Sequence, residues 1–268
     1  MPIWIVVVLL GVIEGITEFL PVSSTGHLLI AEQWLPRQSD LFNIVIQCGA
    51  VIAVLPLFRE RLHQFFFRWR EKATQDYAFK VLVAFVLTGV GGFVWDHMGH
   101  KLPKELGPIA WALLIGGIAF IAVEQWLRGR SLKNDVTWSI AFAVGVAQLI
   151  AAIFPGTSRS GSSIVFCLLL GLNRPAATEY SFLVGIPTML AAGAWEIRKS
   201  LHQHSGAASQ ENWAMVGLGF MVAAVVSFIA VKWLLRYVQT HTFVAFGWYR
   251  IGLAVVIGIL LLRGTHVS

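Results

Sequence analysis

The chain has 268 residues, of which 57% are hydrophobic and 13% charged, with a formal net charge of +6. Soluble domains carry about 25% charged residues, and the mean hydropathy here is +0.72, so a water-soluble fold is excluded and an integral membrane protein is expected. The apolar runs are long and continuous, which selects helices over a transmembrane β-barrel, and the basic excess fits loops facing anionic lipid, with no nucleic-acid partner.

Taken in order, residues 2–35 are apolar except at their centre, where Pro21-Val22-Ser23-Ser24-Thr25-Gly26 interrupts them. No basic segment precedes this stretch, so a cleaved leader is not expected. Each half is about ten to fifteen residues, which at a rise of ~1.5 Å per residue reaches roughly the bilayer midplane. A re-entrant helix–loop–helix hairpin is the expected structure, its tip enclosed by protein or a wet cavity. Full spans follow at 41–58, 81–99 and 108–127. A second interrupted region, 139–172, breaks at Pro155-Gly156-Thr157-Ser158-Arg159-Ser160-Gly161, and further spans follow at 176–195, 213–235 and 243–262. The two cysteines, Cys48 and Cys167, lie in apolar runs and are read as packing residues.

The two interrupted regions match at an offset of 134: Gly11 with Gly145, Glu14 with Gln148, Pro21 with Pro155, Ser24 with Ser158. Three spans separate them, so the second copy enters from the opposite face. The expected fold is an all-α integral membrane protein forming one membrane domain. It has six transmembrane helices and two re-entrant hairpins, arranged as inverted repeats of approximately 1–130 and 135–268. Sites in such architectures lie near the midplane, between the repeats. If the loop over residues 59–80 is cytoplasmic, twelve Lys and Arg fall on that side and six on the other. This bias places both termini outside and opens the first hairpin to the outer face.

Charged residues at membrane depth cost about 2.5–3.5 kcal/mol each on insertion scales, so they mark function by default. Glu14 and Glu18 are four apart and share a helix face. Two carboxylates that close need a shared proton or a cation, and a hard divalent ion (Mg2+ or Ca2+) would also bridge phosphate oxygens. Ser23, Ser24, Thr25 and Gly26 open the second leg of the first hairpin, where hydroxyls cap a helix and free amides attract an anion. His27 lies three residues past Ser24, one turn away, and serves as base or as nucleophile. The second break adds Arg159, a permanent cation with a fork suited to phosphate. It is flanked by Gly156, Ser158, Ser160, Gly161 and Ser163 as further phosphate contacts. Together these residues suit phosphoryl transfer from an anionic, lipid-borne substrate. Elsewhere, Glu179 either caps its span or bonds the Arg159 loop, and Tyr249 and Arg250 are read as pairing internally within the last span. His97 and His100 are read as interfacial residues, and His202 and His204 carry no signal.

The run from Glu14 to His27, E-x-x-x-E-F-L-P-V-S-S-T-G-H, with P-G-x-S-R-S-G at Pro155 to Gly161, resembles the undecaprenyl-diphosphatase family of the bacitracin-resistance type. The resemblance extends along the whole chain, including Glu179-Tyr180-Ser181-Phe182. It implies hydrolysis of undecaprenyl diphosphate to the monophosphate and phosphate, on the outer face of the bacterial inner membrane, with a divalent cation. By the same resemblance Glu14 and Glu18 are the acidic pair, Arg159 holds phosphate, Ser24 is the nucleophile, and His27 is the base or the alternative nucleophile. Ser163 stands where the family usually has threonine. The expected partners are a polyprenyl diphosphate and the bilayer, with a homodimer left open. A secondary transporter or flippase of a lipid phosphate is the alternative, since broken helices and inverted repeats are its habitual frame; the nucleophile-and-base pair speaks for hydrolysis.

Overall fold

The structure, a computed structural model, describes residues 1–98, 105–203 and 212–262. Gly99, His100, Lys101, Lys104, His204 and Arg263, which enter the expectations above, lie outside the described residues. The first interrupted region forms α1 (Ile3–Thr17) and α2 (Ser24–Ala31). Then come α3 (Asp40–Val54), a 3-10 turn over Leu55–Phe58, α4 (Arg59–Phe67), α5 (Lys72–His97) and α6 (Leu106–Trp126). The second interrupted region forms α7 (Trp138–Ile153) and α8 (Arg159–Leu169). The chain closes with α9 (Arg174–Gln203), α10 (Trp213–Thr240) and α11 (Val244–Leu262).

Local chemistry sets these boundaries. Ser39 Oγ accepts the Phe42 amide at 3.0 Å and caps α3, with Asp40 complementing the positive helix end. Thr137 caps α7 through the Ile140 amide, and Asn212 caps α10 through the Met215 amide. Pro56 cannot donate into an α-helical ladder, and α3 passes there into the 3-10 turn before α4.

Five of the described helical segments are long and apolar enough to cross a membrane: Asp40–Phe67, Lys72–Trp95, Leu106–Trp126, Trp213–Thr240 and Val244–Leu262. The chain is thus an all-helical, multi-span membrane protein. The remaining expected span is α9, which is long enough at 30 residues but carries Arg174, Glu179, Glu196, Arg198 and Lys199. Its middle is wrapped by protein instead of lipid: Tyr180, Phe182, Val184 and Ile186 are buried. The outward faces of α6 and α10 carry exposed Trp111, Ile115, Met221 and Ile229, as a lipid-facing surface requires.

The helices pack in close pairs: α6 on α11, α1 on α10, α10 on α3, α5 on α7, and α3 on α9. Small residues permit the tightest crossings. A Cβ on Gly117 would lie 2.7 Å from the Gly247 carbonyl, and one on Gly15 would lie 2.7 Å from that of Ala223. The Gly15 crossing presses α1, and with it Glu14 and Glu18, into the protein interior. On the side of the 59–80 loop, buried Glu124 of α6 ties three elements together. It pairs with Arg174 at the start of α9 and accepts the Phe243 amide before α11 at 2.9 Å.

Candidate active site

Each hairpin tip is built around a serine in a backbone conformation that L-residues rarely adopt. Ser23 has φ 73° and Ser158 φ 68°, the two positive-φ non-glycine positions among the described residues. Such geometry costs on the order of 1–3 kcal/mol and persists only where surroundings enforce it. In both, the side-chain oxygen caps the helix that follows: Ser23 accepts the Gly26 amide at 3.3 Å, and Ser158 accepts the Gly161 amide at 3.2 Å. Structurally, therefore, Ser158 corresponds to Ser23, not to Ser24 as the offset of 134 has it. The second tip holds one more residue between its proline and its cap. That tip includes Gly156 at φ 93°, and a Cβ there would lie 2.9 Å from Ile109 Cα. The register shift makes Ser24 and Arg159 equivalent: each is the first residue of its helix, immediately after the strained cap.

The two tips meet. Ser160 Oγ donates to the Leu20 carbonyl at 3.3 Å, from one tip to the other. Between them lies a cavity of about 150 Å³ whose lining includes Glu18, Ser23, Ser24, Thr25, Gly156, Ser158 and Arg159. A second cavity of about 310 Å³ shares Ser24, Thr25, Gln47 and Pro155 with it, adds Glu14, and leads to a polar mouth at Arg37 and Asp40.

Within the smaller cavity Ser24 Oγ donates to Glu18 Oε2 at 2.6 Å. The other oxygen of Glu18 faces Arg159 Nη2 at 3.8 Å. The three guanidinium nitrogens of Arg159 are buried, and none has a hydrogen-bond partner. Phe19 and Gly185 confine it: its Cζ is 5.6 Å from the Phe19 ring centre, and the guanidinium lies against Gly185 of α9. A buried cation without hydrogen-bonding oxygens is costly unless an anion completes it. Glu14, one turn before Glu18, is likewise buried, and its Oε2 has no partner.

Not every expected contact takes part. His27, read as lying beside Ser24, turns away from it: Nδ1 bonds the Ser23 carbonyl and Nε2 bonds the Tyr249 hydroxyl, each at 2.7 Å. The side chains of a short helix radiate from its axis, so three residues along the chain did not put the imidazole on the serine. Gly26, Ser160, Gly161 and Ser163 do not line the cavity between the tips. Gly26 and Gly161 give their amides to the caps, Ser160 links the tips, and Ser163 is fully buried with its hydroxyl unpartnered. Glu179 neither caps α9 nor reaches the Arg159 loop; it pairs with Arg61 of α4. Tyr249 and Arg250, read as pairing internally within the last span, instead reach the tips. Arg250 donates to Pro21 O at 3.2 Å and to Thr157 O at 3.0 Å. The signal was present in the sequence, since a charge in mid-span marks function.

A hydroxyl bonded to a carboxylate, beside a guanidinium with no hydrogen bond of its own and a second carboxylate, can attack and hold a phosphorus centre. Comparison with known proteins gives the family. Residues 7–256 match the family described as bacitracin resistance protein BacA. The undecaprenyl-diphosphatase of Rhizobium johnstonii is 51% identical over 255 residues, covering 95% of this chain and 94% of that protein. That of Rhizobium leguminosarum bv. trifolii is 52% identical over 256 residues, covering 95% and 94%. That of Xanthomonas axonopodis pv. citri is 49% identical over 243 residues, covering 90% and 91%. With strained serine caps, a shared cavity and near-complete coverage by these relatives, the chain belongs to the BacA family of bacitracin resistance proteins.

Proposed function

We propose that this protein hydrolyses undecaprenyl diphosphate to undecaprenyl phosphate and inorganic phosphate. The activity recycles the lipid carrier of peptidoglycan synthesis and thereby confers bacitracin resistance. The observation that carries the reading is the 2.6 Å bond from Ser24 Oγ to Glu18, set beside the Arg159 guanidinium, which has no hydrogen-bond partner. In the first step Ser24 Oγ attacks the terminal phosphorus and its proton passes to Glu18. The bridging P–O bond breaks, and the lipid monophosphate leaves with that oxygen. Water then attacks the phosphoserine, the serine oxygen leaves, and the proton returns to it. Arg159 binds the non-bridging oxygens, and the amides that open α2 and α8 have no carbonyl of their own helix to bond. Ser23, Thr25, Gly156 and Ser158 shape the walls around the phosphate.

A divalent cation, Mg2+ or Ca2+, belongs to this reading. The fit rests on Glu14 Oε2, a buried carboxylate oxygen without a partner, one turn from Glu18. No cluster of three or more His, Cys, Asp or Glu stands among the described residues, so Glu14 and Glu18 would hold the ion together with substrate oxygens, as is usual for Mg2+. When bound it would offset phosphate charge. The Lys and Arg asymmetry supports a bacterial inner-membrane setting with the cavity opening outward. The two halves, 1–130 and 135–268, are read as inverted repeats meeting at the tips.

The test is phosphate release from a polyprenyl diphosphate by purified protein in detergent, with no gradient. Ser24→Ala and Arg159→Ala are expected to abolish turnover, and Glu18→Gln to lower kcat by about 10²–10⁴-fold, as loss of a positioned base does. Wild-type turnover by Ser24→Ala overturns the mechanism, and no release by the wild type overturns the function.

A further inference from the structure

The last helix reaches the carbonyl side of both tips. Arg250 is fully buried. Among the described residues no carboxylate lies within ion-pair distance of it. It donates only to backbone oxygens: Nη1 to Pro21 O at 3.2 Å, and Nη2 to Gly156 O at 3.3 Å, Thr157 O at 3.0 Å and Ala112 O at 3.1 Å. Nε reaches Leu113 O at 3.4 Å. One planar group therefore spans the first tip, the second tip and α6.

The neighbouring Tyr249 extends the same contact. A carbonyl can only accept, so the proton on His27 must sit on Nδ1, facing Ser23 O. Nε2 is then the acceptor, and the Tyr249 hydroxyl donates to it. The chain Tyr249–His27–Ser23 ends on the strained cap residue that precedes Ser24.

We propose that Arg250 and Tyr249 are positioning residues for phosphoryl transfer: from α11 they bind the carbonyls of Pro21, Gly156 and Thr157 and, through His27, that of Ser23, so that Ser24 and Arg159 face each other across the cavity. The inference rests on the function proposed above. Its physical basis is the accounting of backbone groups. Where two helices break at membrane depth, freed carbonyls have no water to bond. If they turned into the cavity they would repel an anionic phosphate. Arg250 satisfies them on the far side and leaves the amides and side chains of the tips for the substrate. The fork matters more than the charge, because several donors in one plane must reach separate segments; a lysine presents three donors from a single point.

The experiment measures phosphate release from a polyprenyl diphosphate by the purified full chain, with rates normalised to folded protein from size-exclusion and thermal unfolding. Arg250→Lys is expected to lower kcat per folded molecule about 100-fold, as misplacement by about 1 Å does, while KM changes less than about threefold. A merely structural role lowers the folded fraction and leaves kcat per folded molecule unchanged. Tyr249→Phe removes one hydroxyl from a half-exposed side chain, so it keeps the protein folded. It is expected to lower kcat about tenfold, the scale of one hydrogen bond. Tyr249→Phe decides the matter if Arg250→Lys does not fold. Wild-type kcat in either folded variant, or a loss carried wholly by KM, overturns the proposal. Absence of release by the wild type is a different result and refutes the function itself.

Discussion

Gly185 touches no phosphate in the proposed mechanism, yet its substitution is a sharp probe of the site. It lies in the buried middle of α9, against the Arg159 guanidinium. A Cβ there would lie 1.6 Å from Arg159 Nη1 and 2.5 Å from its Cζ. Carbon atoms in contact sit about 3.5–4.0 Å apart, so in Gly185→Ala the guanidinium must retreat by about 1 Å or more. Phe19 and Glu18 already bound the space it occupies, so the retreat disturbs the phosphate clamp. A displacement of that size costs roughly 100-fold in rate, equivalent to about 2.7 kcal/mol of transition-state stabilisation. Stability should fall modestly, because an overpacking cost of about 1–3 kcal/mol exceeds the gain of about 0.5–1 kcal/mol from removing a helical glycine. The assay is phosphate release by purified protein, with thermal unfolding alongside. Gly252→Ala is the control: nothing lies within 4 Å of a Cβ there, so it should keep the wild-type rate. A wild-type kcat in Gly185→Ala would refute the placement of Arg159 as the phosphate clamp.

Three other outcomes are expected. At the strained cap Ser158, alanine keeps the unfavourable backbone and loses the hydroxyl, whereas glycine relieves the backbone. Ser158→Ala should therefore be less stable than Ser158→Gly by about 1 kcal/mol or more in thermal unfolding, and the reverse order would remove the strain argument. Glu124→Ala leaves Arg174 and the Phe243 amide without their buried acceptor. It should cost about 3–5 kcal/mol of stability, and a loss under 1 kcal/mol would show that the link between α6, α9 and α11 is dispensable. Chelation should suppress phosphate release, with recovery on adding Mg2+ or Ca2+; undiminished release after exhaustive chelation would exclude the cation from the mechanism.

The polar runs at Glu14–His27 and Pro155–Gly161 were legible in the sequence because acids, an arginine, prolines and hydroxyls are expensive at membrane depth and stand out against apolar flanks. The same contrast located the helix pairs α1–α2 and α7–α8, and the membrane-spanning segments followed from length and hydropathy. Residue order did not reveal which group bonds the Ser24 hydroxyl. Glu18 and His27 lie six before and three after it, and the choice depends on how the chain turns through Pro21 and the strained Ser23. Nor did order reveal the equivalence of Ser24 and Arg159, which arises from one additional residue in the second tip and alters register without altering composition. Gly185 and Tyr249 lie beyond local reading, and the charge of Arg250 marks it in the sequence without telling what it touches. Their importance comes from contacts across 26, 222 and more than 90 residues with the tips, and a residue's neighbours across helices depend on crossing distances that no single segment encodes. Local burial costs are written into each stretch of sequence, whereas the pairing of donors with acceptors exists only once α6, α9 and α11 have closed around the two tips.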